Sequence, residues 1–173
     1  MSGGPEFSRP ILLARIGSEP LNRQIAANAD EREALARRFD LLALDQLTAD
    51  ITLTRRGGEM ILMRAAFAAI FAQECVVTLD PIDGALSAEF ELLYGPPEAE
   101  EAAAGLVGDA VAFEPLRGDT IDIGEAVAQE FSLALPPFPR SPDADAAADR
   151  VPEETGPLAA LAQLLNRRER RDE

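Results

Sequence analysis

The chain has 173 residues, 47% of them apolar, so it can bury one core, while a formal charge of −15 sets it against the phosphate backbone of nucleic acids. It has no histidine, which excludes His-based triads, His general bases and His metal ligands; its single cysteine, Cys75, excludes an internal disulfide and fits a reducing, cytoplasmic setting. No signal peptide is visible, and no stretch reaches the roughly 18–20 uncharged apolar residues of a membrane span.

The acidity is uneven. Residues 1–95 hold 14 acids and 9 bases, and residues 96–173 hold 17 acids and 7 bases, so the second half carries most of the excess. Every base is an arginine, the residue suited to bidentate contacts with carboxylate or phosphate.

Residues 1–6 read as a loose start, Phe7 to Ile16 as a short strand after Pro10, and Gly17 to Pro20 as a turn. Leu21 to Ala27 suits a second strand. Asn28 to Phe39 predicts a helix, with Asp30 as cap, Glu33 as its partner, and Leu35 and Phe39 on one face. Arg32, Arg37 and Arg38, interleaved with Glu31 and Glu33, read as its solvated side.

From Gln46 to Thr54, Leu47, Ala49, Ile51 and Leu53 alternate with Thr and Asp, which predicts a half-buried strand. Arg55 to Glu59 makes a hairpin turn. The longest apolar run follows, Met60 to Leu79. Its odd positions are nearly all apolar, as in a strand, but its alanines with Phe67, Ile70, Phe71 and Glu74 also suit a helix. The hairpin decides for strand, because the segment before it needs a partner. After a turn at Pro81 to Gly84, Ala85 to Tyr94 alternates again, giving a meander with Met60 to Leu79 in the middle.

Gly95 to Gly118 reads as an acidic loop with a short strand at Ala110 to Phe113. Asp119 to Leu135 predicts the second helix, with Asp122 as N-cap, Glu125 as capping-box partner, and Ile123, Val127, Phe131 and Leu135 on one face. Pro136 and Pro137 stop it. The stretch to Thr155 is rich in Pro, Asp and Ala and reads as a flexible acidic linker. Leu158, Leu161, Leu164 and Leu165 then mark one face of a last helix that ends in Arg167, Arg168, Arg170 and Arg171.

The expected fold is therefore α+β: an antiparallel meander, open or partly closed into a barrel, with two or three packing helices and flexible acidic loops. Its domain covers residues 1–136, its linker 137–156, and its C-terminal amphipathic helix with a basic end 157–173.

No catalytic constellation stands out. Cys75 has no histidine partner, and its neighbour Glu74 is expected to raise the thiol pKa; packed on the apolar side, it reads as a small core hydrophobe. Asp80/Asp83 and Glu98/Glu100/Glu101 match no metal loop, and Gly57–Gly58 serves a turn. The C-terminal arginine cluster is the one concentrated basic feature, suited to RNA phosphates or to the negative end of its own helix.

Several stretches in this order carry a resemblance. They are Phe7-Ser8-Arg9-Pro10; Gln73 to Pro81; Leu93-Tyr94-Gly95-Pro96; Ile121-Asp122-Ile123-Gly124-Glu125, closed by Leu133 to Pro136; and Gly156 to Leu161. Together the chain resembles the YceD family of large ribosomal RNA accumulation proteins, in its alphaproteobacterial form. The resemblance implies a bacterial, cytoplasmic, non-enzymatic accessory factor in synthesis, processing or stability of large-subunit rRNA. The partners it implies are a ribosomal protein or a large-subunit assembly intermediate, with rRNA contact indirect; direct RNA binding through Arg167, Arg168, Arg170 and Arg171 is the alternative, and an uncharacterised protein-interaction module a second. It makes Cys75, Asp122, Glu125 and Pro136 family-motif positions of structural character. Many relatives carry a cysteine pair spaced by two residues; here Cys75 holds the first position, Thr78 the second, and no cysteine follows Pro139. No metal or cofactor is expected.

Overall fold

The computed structural model describes residues 4–57, 59–99 and 111–144. The chain forms β1 (Pro10–Leu12), a short 3-10 turn, β2 (Leu21–Ala26), α1 (Ala29–Arg38), β3 (Ala43–Arg55), β4 (Ile61–Glu74) and β5 (Pro81–Gly95). After a second 3-10 turn at Pro97–Ala99 come β6 (Ala112–Pro115), β7 (Thr120–Asp122) and α2 (Ile123–Ala134). The main sheet has the order β2-β3-β4-β5-β6, and β1 pairs separately with β7. The fold is α+β, as expected. The sheet does not close into a barrel, and it is mixed, because β6 runs parallel to β5 while the other pairs are antiparallel.

The period of two explains the long hairpins. Leu47, Ala49, Ile51 and Leu53 of β3, and Ile61, Met63, Ala65, Phe67, Ala69 and Phe71 of β4, are all buried on one face. Register links them directly: Ile51 faces Ala65, Ala49 faces Phe67, and Phe67 faces Ala88 of β5. The alanines that made β4 ambiguous are its even, outward positions Ala66, Ala68 and Ala72, together with Ala65 and Ala69, which leave room for rings packed over the sheet.

That room is filled by the helices. Phe131 of α2 is fully buried and meets Phe39, Phe67 and Phe71, with ring centroids 5.9, 6.3 and 5.8 Å away. Ile123, Val127 and Phe131 form the buried face of α2, and Leu35 that of α1, so both helices share the core with one side of the sheet.

Several boundaries differ from expectation. The first strand is only three residues long, because a 3-10 turn at Leu13–Arg15 interrupts it. β4 ends at Glu74 and β5 begins at Pro81, so Cys75 to Asp80 is the turn, and Cys75 lies off the strand. Gly84, read as a turn residue, is a strand position facing Phe71; a Cβ there would lie 2.7 Å from the ring. Residues 120–122 belong to β7, so α2 starts at Ile123. The cap of α1 is Asn28, whose side chain accepts from the Glu31 N–H while the Glu31 carboxylate accepts from the Asn28 N–H.

Gly124 supplies a close approach. A Cβ at this position would sit 2.3 Å from the Phe7 carbonyl oxygen. Gly124→Ala must therefore push the N-terminal segment off α2. An overpacking cost of about 1–3 kcal/mol is expected in urea unfolding. Gly17→Ala, where nothing lies within 4 Å, should stay within about 0.5 kcal/mol, as surface changes do.

Candidate functional site

Asp122 ends β7 and caps α2. Its carboxylate accepts from the Gly124 and Glu125 N–H groups at 3.1 and 3.2 Å, and also from the Arg9 N–H at 2.7 Å and the Ser8 hydroxyl at 2.5 Å. Phe7-Ser8-Arg9 and Ile121-Asp122-Ile123-Gly124-Glu125, more than 110 residues apart, thus meet at one side chain. Glu125 does not complete a capping box. It turns to Arg38 instead, in a two-pronged pair at 2.9 and 2.8 Å, and Arg38 also holds Glu6 at 2.9 Å. Arg9 grips Glu31 in the same bidentate way, at 2.7 and 2.9 Å. The Arg9 hydrogen bond holds the Glu31 carboxyl below its usual range, and the Glu125 bond raises the Arg38 pKa. Arg38 and Glu31, expected on a solvated face, are the clamps that tie α1 to α2 and to the N-terminal segment. Nothing local reveals this for Arg38, because its partner lies 87 positions away.

The second cluster surrounds Cys75, whose side chain has no exposed surface. Its surroundings are polar. The Thr78 and Ser141 N–H groups donate to Sγ, each at 3.4 Å, and the Ser141 hydroxyl lies 3.8 Å away. Val76 N–H donates to the Pro139 carbonyl at 3.0 Å, and the Gln73 amide reaches the Pro136 carbonyl at 3.3 Å. The turn after β4 is thereby fastened to the segment after α2. Hydrogen bonds, first from the Thr78 hydroxyl and then from the Ser141 and Thr78 N–H groups, bring the thiol pKa from 9.0 down to about 6. Desolvation opposes them more weakly. The thiol pKa is thus lowered, where the neighbouring Glu74 was expected to raise it; Cys75 is buried, as expected, but among hydrogen-bond donors.

The corner brings together Cys75, Thr78 and the segment after Pro139, the places at which the resemblance implied thiols. The residues present do not fit zinc, which takes four nitrogen or sulfur donors. Here there are one sulfur and two hydroxyls, and N–H donors already aim at the sulfur.

The third feature is the sheet face turned away from the helices. Ala66, Ala68 and Ala72 of β4 lie on it with Ala85 and Ser87 of β5 beside them, interrupted by the exposed Ile70. Asp50, Glu89 and Glu91 rise around a shallow trough of about 520 Å³ that also includes Thr52, Arg64 and Val111. Arg64 pairs with Glu91 at 2.6 Å. One end of this face is covered by a small second core of Met60, Leu62 and Leu93, joined by Val111 and Phe113. Arg167, Arg168, Arg170 and Arg171 lie outside the described residues.

These features define an α+β protein with an open sheet, two helices on one face and an acidic surface on the other. The chain's sequence matches, over residues 63–167, the model of a family described as large ribosomal RNA subunit accumulation protein YceD. That is well over half of its length, and the chain belongs to the YceD family. The match takes in Cys75, Asp122, Glu125 and Pro136 and the leucines from Leu158 to Leu165, but stops short of Arg168, Arg170 and Arg171. No curated protein and no solved structure matches the chain. Among the described residues, no helix is long and apolar enough to cross a membrane.

Asp122→Ala should lower stability by about 1–3 kcal/mol in urea unfolding, since it removes a helix cap and leaves the Arg9 N–H without its acceptor. The Cys75 thiol titrates lower in the folded chain than in the unfolded one. Below about pH 6 it is protonated in both states and adds nothing. As pH rises from about 6 towards 9.0, only the folded chain is ionised, so stability increases. The unfolding midpoint of the native chain should therefore rise relative to Cys75→Ser across that window, and a pH-independent difference would contradict an ionised thiol.

Proposed function

We propose that this YceD-family protein is a non-enzymatic, cytoplasmic accessory factor for large-subunit rRNA accumulation, and that it works by binding a basic protein component of a large-subunit assembly intermediate. The family match supports the link to the large ribosomal subunit. The acidic open face of the sheet carries the rest of the reading. Asp50, Glu89 and Glu91 stand around Ala66, whose small side chain lets another backbone come close, and Arg64, within the trough, is already paired. Such a surface repels phosphate and attracts lysine- and arginine-rich protein segments. Four of the eleven described arginines, Arg9, Arg37, Arg38 and Arg64, are each paired with a carboxylate, which offsets their charge. A role without chemistry of its own fits a chain that lacks histidine and whose single thiol is closed from solvent.

The test is affinity capture of large-subunit precursors from the native host with the wild-type chain and with Asp50→Lys/Glu89→Lys. Capture should survive ribonuclease, fall with added salt, and drop at least about tenfold in the double variant, the effect of a lost close charge pair or two. Capture that ribonuclease abolishes, that the double variant retains and that requires Arg167, Arg168, Arg170 and Arg171 would establish direct RNA contact instead. Unchanged large-subunit rRNA in a deletion strain would remove the ribosomal role altogether.

A further inference from the structure

The end of the sheet beside Cys75 exposes a large share of the apolar surface. Seven large apolar side chains stand exposed among the described residues, and five of them are Leu42, Val76, Leu79, Leu133 and Phe138. The backbone gathers them there. Leu42 N–H donates to Ala72 at the end of β4, Val76 N–H donates to Pro139, and Leu79 N–H donates to Cys75. Leu133 and Phe138 are 78% and 77% exposed, well beyond an ordinary scattered surface leucine. Leu133 lines a groove of about 620 Å³ with Phe39, Val76, Leu135 and the prolines 136, 137 and 139, and with Asp40 and Glu74. Leu79 is the more telling because its φ is 63°. Glycine or asparagine occupies that conformation more cheaply, so this exposed leucine costs the fold both conformationally and in solvation.

The described chain ends at the same place. Ala144 is buried and its N–H donates to Ser141, which in turn holds Cys75. Beyond it the sequence supplies a complementary segment. Leu158, Leu161, Leu164 and Leu165 share one face at helical spacing, and Arg167, Arg168, Arg170 and Arg171 follow. The intervening chain, residues 145–156, reaches up to about 40 Å when extended, ample for a groove adjoining Ala144. The family match extends over the stretch that holds these leucines.

We infer that residues 157–171 of this same chain dock their leucine face into the groove formed by Phe39, Val76, Leu133 and Leu135 and over the adjoining Phe138, with the arginines beside Asp40 and Glu74. Docking of this kind covers the exposed apolar surface and occupies the arginine cluster with carboxylates. It does not depend on the identity of the ribosomal partner.

Hydrogen exchange on the full-length chain tests this from both sides. Leu161→Asp/Leu165→Asp should speed exchange at Val76–Leu79 and Leu133–Phe138 several-fold, while β4 amides stay protected and report an intact fold. Leu133→Asp/Phe138→Asp, at side chains the core does not use, should in turn remove protection from residues 158–166. Groove exchange that is unchanged by the tail variant would overturn the inference. So would groove protection that disappears on dilution of the wild-type chain, which would make a second copy the occupant. A groove that is fast-exchanging in the wild-type chain and slowed only by added ribosomal partner would overturn it as well.

Discussion

The fold depends on one carboxylate. Asp122 accepts four hydrogen bonds, two from the first turn of α2 and two from Ser8 and Arg9 near the start of the chain. A carboxylate with four donors is strongly held, because each donor is shorter and stronger to an anion than to a neutral acceptor. It fixes where α2 begins and what lies beneath it. Phe7 is fully buried at this junction, and the absence of a Cβ at Gly124 lets the Phe7 carbonyl sit against the helix. With α2 so placed, Phe131 reaches Phe39, Phe67 and Phe71, and the core of the sheet closes. The Arg38 bridge to Glu6 and Glu125 adds α1 to the same assembly.

This arrangement divides the molecule by role. The motif residues Asp122 and Glu125 are spent on architecture, and Cys75 and Pro136 fasten the turn after β4 to the segment after α2. The surfaces proposed for recognition lie elsewhere, on the acidic outer face of the sheet and in the apolar groove at its end. The two surfaces differ in kind. The first offers carboxylates over small residues and suits a basic partner; the second offers exposed leucine, valine and phenylalanine and suits an apolar helix face.

Much of the sheet was legible in the sequence because strand alternation is a local signal. Leu47 to Leu53 and Leu86 to Tyr94 declare their buried side by a period of two, and Ile123, Val127 and Phe131 do so by a period near four. β4 was legible only through its neighbours, since alanine serves helix and strand alike. The boundary errors share a cause: Pro81 and Gly84 look like turn residues but sit in β5, where Pro81 opens the strand and Gly84 yields its space to the ring of Phe71. The candidate sites were less legible. An arginine on a helix gives no sign that its carboxylate is 87 residues away, and the stretch around Ser141 gives no sign that it donates to a thiol 66 residues earlier.

The sequence by itself determined the charge, the residue chemistry available, the alternating strands, the helix faces and the family. Those follow from composition and from contacts within a few residues. Only the tertiary structure decided that Phe7-Ser8-Arg9 and Asp122-Ile123-Gly124 form one junction, that Cys75 is surrounded by donors which lower its pKa, and that Phe39, Val76 and Leu133, from three separate segments, line one groove. Each of these is a meeting of groups far apart along the chain, and only the packing of helices on the sheet brings such groups within hydrogen-bonding or van der Waals distance.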